Sequence, residues 1–416
     1  MSEVVKSQTE SQNVSSDVVA NPLENQPIEI VERDGVRYTI LGTAHVSKAS
    51  ADAVEHLIKS GEFDAVAIEL DAGRHAALTN PDQWAKMDLF KVLREGKAGM
   101  MAANLALSAF QQRIADQFGI EPGQEMRVAI KAANAASLPL LLIDREVGTT
   151  LRRVYRNVGF WQRLTLFSGL LAGVFSNEKI SEEDIEKLKE GDMLESTFSE
   201  FAKSSEKLYT PLIAERDQYM AAKLRENKTH KNVLVVIGAG HLKGLVNHLQ
   251  SDTEESVTIK KRLEVIPPPE LWTKILPWAL VAFVIGGFIY GFVRNPETGL
   301  NLLGDWALIT GIAGAVGALV ALAHPVTILA TALAAPITTL HPLLGVGFIS
   351  AAVELWFRKP NVSDFNSLRK DVTSFKGWYK NRVARVLLVF ILSSVGASLG
   401  FYLAGARLVQ RLSGQE

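Results

Sequence analysis

The fold class that the sequence predicts is α/β: a soluble domain with a mainly parallel sheet and helical insertions, followed by an α-helical transmembrane domain. Three observations carry this expectation. Over the first 264 residues, short and nearly continuous apolar runs alternate with helical patterns, as expected where both faces of a parallel sheet are covered. These runs end in a histidine, in acids, or in an acid followed by a base. Beyond about Lys274 charges become sparse, and apolar stretches long enough to cross a bilayer follow one another.

Residues 1–27 are polar, lack the apolar core of a secretory signal and read as a disordered tail. After the charged turn Glu32-Arg33-Asp34-Gly35, residues 36–45 form the first predicted strand, ending in Gly42-Thr43-Ala44-His45. A helix follows over 47–59, with Val54, Leu57 and Ile58 at helical spacing. Residues 64–71 give a second strand ending in Glu69 and Asp71. Residues 138–145 give a third, ending in Asp144-Arg145. Between them, 80–137 reads as helical with breaks at Pro81, Gly119 and Pro122-Gly123. Residues 149–227 are again helical; the apolar segment 160–175 is short for a span and suits amphipathic packing, and a charged one covers 181–190. The fourth strand, 233–237, leads into Gly238-Ala239-Gly240-His241 and so repeats the Gly-x-x-His ending of the first.

The division into domains follows. Residues 28–264 form the α/β domain and 265–274 a linker marked by Pro267-Pro268-Pro269. Residues 275–404 form the membrane domain and 405–416 a short tail. Spans are expected at 275–293, 306–323 and 386–404. The block 325–357, broken at Pro336 and at His341-Pro342, is a helical hairpin, a re-entrant element or two short spans. The connector 358–385 carries Arg358, Lys359, Arg369, Lys370, Lys376, Lys380, Arg382 and Arg385, which places it in the cytoplasm by the positive-inside rule. Lys260, Lys261, Arg262 and Lys274 have the same preference. The expectation is an integral, multi-pass membrane protein with its soluble domain in the cytoplasm and its C-terminus across the bilayer.

Composition narrows the function. A net charge of -1 and the absence of nucleic-acid motifs leave no case for a nucleic-acid partner. With no cysteine, a disulfide framework, a thiol nucleophile and a thiolate metal site are all excluded, so any metal must be held by His, Asp or Glu.

In a parallel sheet the carboxyl ends of the strands share one edge, where ligands bind. His45, Glu69, Asp71, Asp144, Arg145 and His241 are therefore expected to converge. His45, Glu69 and His241 would supply three ligands to a divalent metal and leave a position for an activated water. Glu125, Asp144 or Glu215 is then a candidate general base or supporting carboxylate, and Arg74 or Arg145 a stabiliser of negative charge. Blander readings stand beside these. Gly42 and Gly238 could serve only tight turns, the two histidines could cap helices, and Glu69 or Asp71 could end a strand in solvent. Arg74 and Arg145 could form structural ion pairs, and Glu215-Arg216-Asp217 could be the polar face of a helix. His56, His75, His230 and His248 read as surface residues. His324 and His341 read as helix ends, and Glu354 as a boundary pair with Arg358.

As an ordered set the motifs resemble the TraB/PrgY/GumN family, which is related to the TIKI proteins. The resemblance rests on 41–47 (Leu-Gly-Thr-Ala-His-Val-Ser), Ile68-Glu69-Leu70-Asp71 with Arg74, 121–126, Ile143-Asp144-Arg145, Glu215-Arg216-Asp217 and Gly238-Ala239-Gly240-His241. The membrane half adds 335–342 and 358–365. The resemblance implies a metal-dependent peptide hydrolase in which His45, Glu69 and His241 occupy the metal and catalytic positions and Arg74 and Arg145 match basic positions. Its PrgY-like members imply control of peptide signalling from a membrane-bound protein. The partners expected are a peptide and the lipid bilayer. The alternative is a noncatalytic membrane regulator that sequesters a peptide or small ligand.

Overall fold

Asp34 and Gly35 both take positive φ, 53° and 74°, the backbone of a two-residue hairpin turn. They join β1 (Ile28–Arg33) to β2 (Val36–Thr43) in antiparallel pairing. The structure is a computed structural model that describes residues 22–24, 26–43, 48–79, 89–99, 101, 102, 105, 106, 109, 123–159, 162, 165, 168, 206–269, 271–341 and 344–413. His45, most of the polar tail, Glu121-Pro122, most of 160–175 and all of 181–190 lie outside these residues.

Four strands match the predicted ones: β2, β3 (Ala65–Ile68), β4 (Leu140–Leu142) and β5 (Asn232–Gly238). They are mutually parallel, in the order β1-β2-β5-β3-β4. β1 is an addition to the prediction. Its two glutamates give it a polar look, and as an edge strand it leaves Ile30 51% exposed while burying Val31.

The period-two alternation of the strands builds two cores. Tyr38, Ile40, Ala65, Ala67, Val233, Val235 and Ile237 point to one face, where α6 (Glu215–Arg225) and α7 (Ala239–Ser251) supply Met220, Leu224, Leu242 and Leu245. Leu41, Val66, Ile68, Leu234 and Val236 point to the other, covered by α1 (Lys48–Lys59) and α4 (Gln124–Ala135) through Val54, Leu57, Met126 and Ile130. Each fully buried aliphatic side chain of this kind contributes about 1.5–3 kcal/mol. Tyr38 donates its hydroxyl to the Leu224 carbonyl at 2.9 Å, and burial pushes its pKa up to about 12. Between strands lie α2 (Ala72–Thr79), α3 (Leu89–Arg94) and α5 (Val147–Asn157); a π turn, Thr210–Ala214, runs directly into α6, and α8 (Ser256–Glu264) closes the domain.

Among the described residues, three further helices are long and apolar enough to cross a membrane: α9 (Leu271–Arg294), α10 (Pro296–Val320) and α15 (Arg382–Ser413). α9 begins three residues before the expected end of the linker and keeps Pro277 inside its first turns. Two shorter apolar helices, α11 (Pro325–Thr338) and α12 (Val346–Phe357), correspond to the broken block. At 1.5 Å per residue they are about 21 and 18 Å long, short of a ~30 Å hydrocarbon core. Glu354, fully buried on α12, accepts hydrogen bonds from the His324 backbone N–H and the Thr327 hydroxyl, both at 2.8 Å, and pairs with Arg358 at 3.0 Å. The start of α11 and the end of α12 are thereby tied together, so the two helices form an antiparallel pair. His324 caps α11, its Nδ1 accepting the Val326 N–H, in keeping with the helix-end reading.

α10 and α15 approach until their backbones touch. A Cβ placed on Gly317 would overlap the Leu392 carbonyl, and one on Gly396 would overlap the Ala313 carbonyl. The connector folds as α13 (Val362–Asp371) and α14 (Phe375–Lys380). Phe365, Leu368 and Trp378 from it share a core with Leu89, Leu93, Met101 and Leu105 of the α/β domain.

Candidate functional site

The insertion of β5 between β2 and β3 brings the three strand ends to one carboxyl edge of the sheet, with Thr43 paired to Gly238 and Ile68 to Val236. Glu69, directly after β3, is 4% exposed and accepts the Gly238 N–H through Oε2 at 2.8 Å. Its Oε1 is bonded to Arg216 and lies 3.5 Å from His241 Nε2. His241, in the first turn of α7, is 2% exposed, and its Nδ1 is hydrogen-bonded to Asp217. A Cβ on Gly244, one turn further along α7, would overlap the Asp217 carboxylate, so the absence of a side chain there makes room for it. Gly238 has φ -62° and ψ 141°, a conformation open to any residue, so the strand-to-helix turn does not itself require glycine.

Asp144, just beyond β4, lies at the centre of the charges. It accepts from Arg216 at 2.9 and 3.1 Å, from Arg74, and from the Arg145 backbone N–H at 2.7 Å. Burial works to raise its pKa, but the Arg216 and Arg74 guanidiniums overcome this and hold the carboxyl well below the usual carboxylate range. Asp71 caps α2: Oδ1 accepts the Gly73 and Arg74 N–H groups, and Oδ2 pairs with Arg74 Nε at 2.8 Å. Glu69 and Asp71 are thus both buried, and neither is a solvated strand end.

Arg145 points elsewhere. Its guanidinium, 1% exposed, donates to Thr150, to Glu215 at 2.7 Å, and to the Pro211 and Leu263 carbonyls. Arg153 makes a second, two-pronged pair with Glu215 and also donates to the Val265 carbonyl. This second cluster links α5, the π turn and the end of α8. Glu125 is buried in the first turn of α4, where an acid suits the helix N-terminus.

The sequence underweighted Arg216 and Asp217. Successive residues of a helix project about 100° apart. Glu215 therefore reaches Arg145 and Arg153, Arg216 reaches Glu69 and Asp144, and Asp217 reaches His241. Three adjacent charges on one helix join both clusters, whereas a merely polar face would repeat every three or four residues. The preceding π turn is a second signal, since such turns frequently mark functional sites.

Residues 28–261 match the TraB/PrgY/gumN family, and residues 272–413 match the C-terminal domain of TraB family proteins. The chain belongs to the TraB/PrgY/gumN family. An uncharacterized protein of Methanocaldococcus jannaschii is 37% identical over 382 residues, covering 88% of this chain and 93% of that relative. TraB domain-containing proteins of Bos taurus and Homo sapiens are each 28% identical, over 66% and 62% of this chain and 78% and 73% of their own lengths.

In this TraB-family chain the donor set tests the expected metal. Among the described residues, no three His, Asp or Glu side chains converge in metal-binding geometry. His241 and Glu69 do fit as two donors: a carboxylate on Nδ1 directs Nε2 of His241 toward Glu69, the orientation found in metal-ligating histidines. His45, the third expected ligand, lies outside the described residues.

The charge clusters also fix a pH dependence. Glu215, like Asp144, is held below its ordinary pKa; burial opposes this, and hydrogen bonds from Arg153 and Arg145 prevail. A carboxyl whose folded pKa lies below its unfolded value contributes stability above the unfolded pKa and loses it as pH falls through the folded one. The thermal unfolding midpoint is expected to decline steadily from about pH 5 toward pH 3. A midpoint unchanged across that interval would contradict the assignment.

Proposed function

We propose that this protein is a membrane-anchored, metal-dependent peptide hydrolase whose site is centred on Glu69 and His241. The observation that carries the reading is the line Asp217–His241–Glu69 at the carboxyl edge of the sheet, flanked by the Arg216 guanidinium. Glu69 and His241, with His45, would hold a divalent ion, which when bound supplies a polarised water. Asp217 fixes the tautomer of His241 by accepting from Nδ1, which leaves Nε2 as the acceptor nitrogen facing the site. Arg216 and Arg74 would neutralise charge that develops on a scissile carbonyl oxygen. Arg145 acts as a positioning group through Glu215, and Glu125 as a supporting carboxylate. The relationship to TIKI proteases and a PrgY-like control of peptide signalling belong to this proposal, as does a cytoplasmic placement of the soluble domain. The hairpin geometry and the core shared by Leu89 and Leu93 with the basic connector support that side.

One observation favours a second reading. Glu69 is internally paired on both oxygens, to Arg216 and to the Gly238 N–H, as in a site that binds without cleaving. Elemental analysis and cleavage of a peptide mixture by the full chain in detergent distinguish the two. About one bound metal per chain and cleavage reduced at least ~100-fold in His241→Ala are expected of a metallohydrolase. Peptide binding without metal or cleavage, unaltered in His241→Ala and Glu69→Gln, would replace it with sequestration.

A further inference from the structure

We infer that the membrane half carries a binding site for an anionic phospholipid, formed by α14, the first turn of α15 and the end of α10. Val320, Leu322, Phe375, Lys376, Tyr379, Lys380 and Arg385 line a cavity of about 490 Å³ there. Its chemistry is divided. Val320 and Leu322 offer an apolar floor and are 53% and 54% exposed, and Phe375, 61% exposed, lies with its ring 5.2 Å from that of Tyr379. Lys376, Lys380 and Arg385 supply three cations, and no acid is among the lining residues.

The acids of the connector are engaged elsewhere. Asp371 accepts from Ser367 and Asn381 and Asp364 closes the capping box of α13, while Glu354, on α12 before the connector, pairs with Arg358. Lys376 and Lys380 form no ion pair within the described residues. Arg385 is held by one bond from Nη2 to the Tyr379 carbonyl, and its buried Nε has no hydrogen-bond partner. A guanidinium fixed in this way beside two ammonium groups suits a phosphate oxygen.

The floor decides between a soluble phosphate compound and a lipid. Val320 ends a helix long and apolar enough to span, and the neighbouring Leu319, Trp356 and Phe357 also present exposed apolar surface. Cations and aromatic rings at such a helix end stand at headgroup depth, and an acyl chain continues along the apolar surface below. The inference rests on the membrane placement proposed above and is independent of the hydrolase chemistry.

The test is native mass spectrometry of the full chain in detergent with added phosphatidylglycerol, phosphatidylcholine or glycerol 1-phosphate. A single retained phosphatidylglycerol, at least tenfold favoured over phosphatidylcholine, is expected. Its occupancy should fall about tenfold in Lys376→Gln/Lys380→Gln and in Arg385→Gln. It should not change in Lys359→Gln/Lys370→Gln, which removes equal charge outside the cavity. Equal retention of the two lipids, retention undiminished in the cavity variants, or equal loss in the control variant would overturn the site. Glycerol 1-phosphate binding as tightly as the lipid would replace it with a simple anion site. Because these variants leave Glu69 and His241 untouched, metal content and peptide cleavage report separately on the proposed hydrolase.

Discussion

Asp144→Ala is expected to destabilise the α/β domain by about 3–5 kcal/mol, the usual effect of removing one partner from a buried charge cluster. The carboxylate accepts from Arg74, from Arg216 twice and from the Arg145 N–H, and its side chain is 1% exposed. Without it, Arg216 keeps its pair with Glu69 and Arg74 its pair with Asp71, but the two guanidiniums lose the acid that both of them contact. Arg74→Gln should have a much smaller effect, because the Arg74 side chain is 36% exposed and its pairs are screened. The comparison is a pair of thermal unfolding curves on the full chain in detergent. Equal losses for the two variants would show that burial at Asp144 is not what sets the energy.

In the C-terminal half, Gly317→Ala should separate α10 from α15, with a loss of about 3 kcal/mol, the upper end of ordinary overpacking. The added methyl would meet the Leu392 carbonyl and the Ser393 Cα, which are backbone atoms that no rotamer change can move aside. Gly304→Ala, on the same helix but with no atom near the added Cβ, should be neutral or slightly stabilising through helix propensity. The readout is the thermal midpoint of helical structure in detergent. A Gly317→Ala protein as stable as the parent would mean that the two helices are less tightly joined than their backbones indicate.

Particular residues show how much of this was legible in advance. The parallel strands were readable because Val233 to Ile237 and Ala65 to Ile68 are buried on both faces and need apolar residues at every position. Their order was not, since a strand's composition is silent about its neighbours; only the fold shows β5 between β2 and β3. β1 escaped because an edge strand needs only one apolar face. Glu69, Asp144 and His241 were legible as polar residues stationed where apolar runs stop. Arg216 and Asp217 were not, because a charged pair inside a helix has the same appearance whether it faces solvent or a buried site. The block of α11 and α12 carried three readings, and the contacts of Glu354 with His324 and Thr327 show the antiparallel pairing that all three share.

A π turn holds one more residue than the α turn it replaces, so Thr210–Ala214 sets the rotational phase of everything downstream of it in that helix. Winding the same residues as a regular α-helix would leave no place for the extra one and would turn Glu215, Arg216 and Asp217 by about 100° together. A change that improves the local backbone would then disengage Arg145, Asp144 and His241 at once. The irregular turn works as an indexing device, and the chain tolerates an imperfect helix because a regular one would aim its charges at the wrong partners.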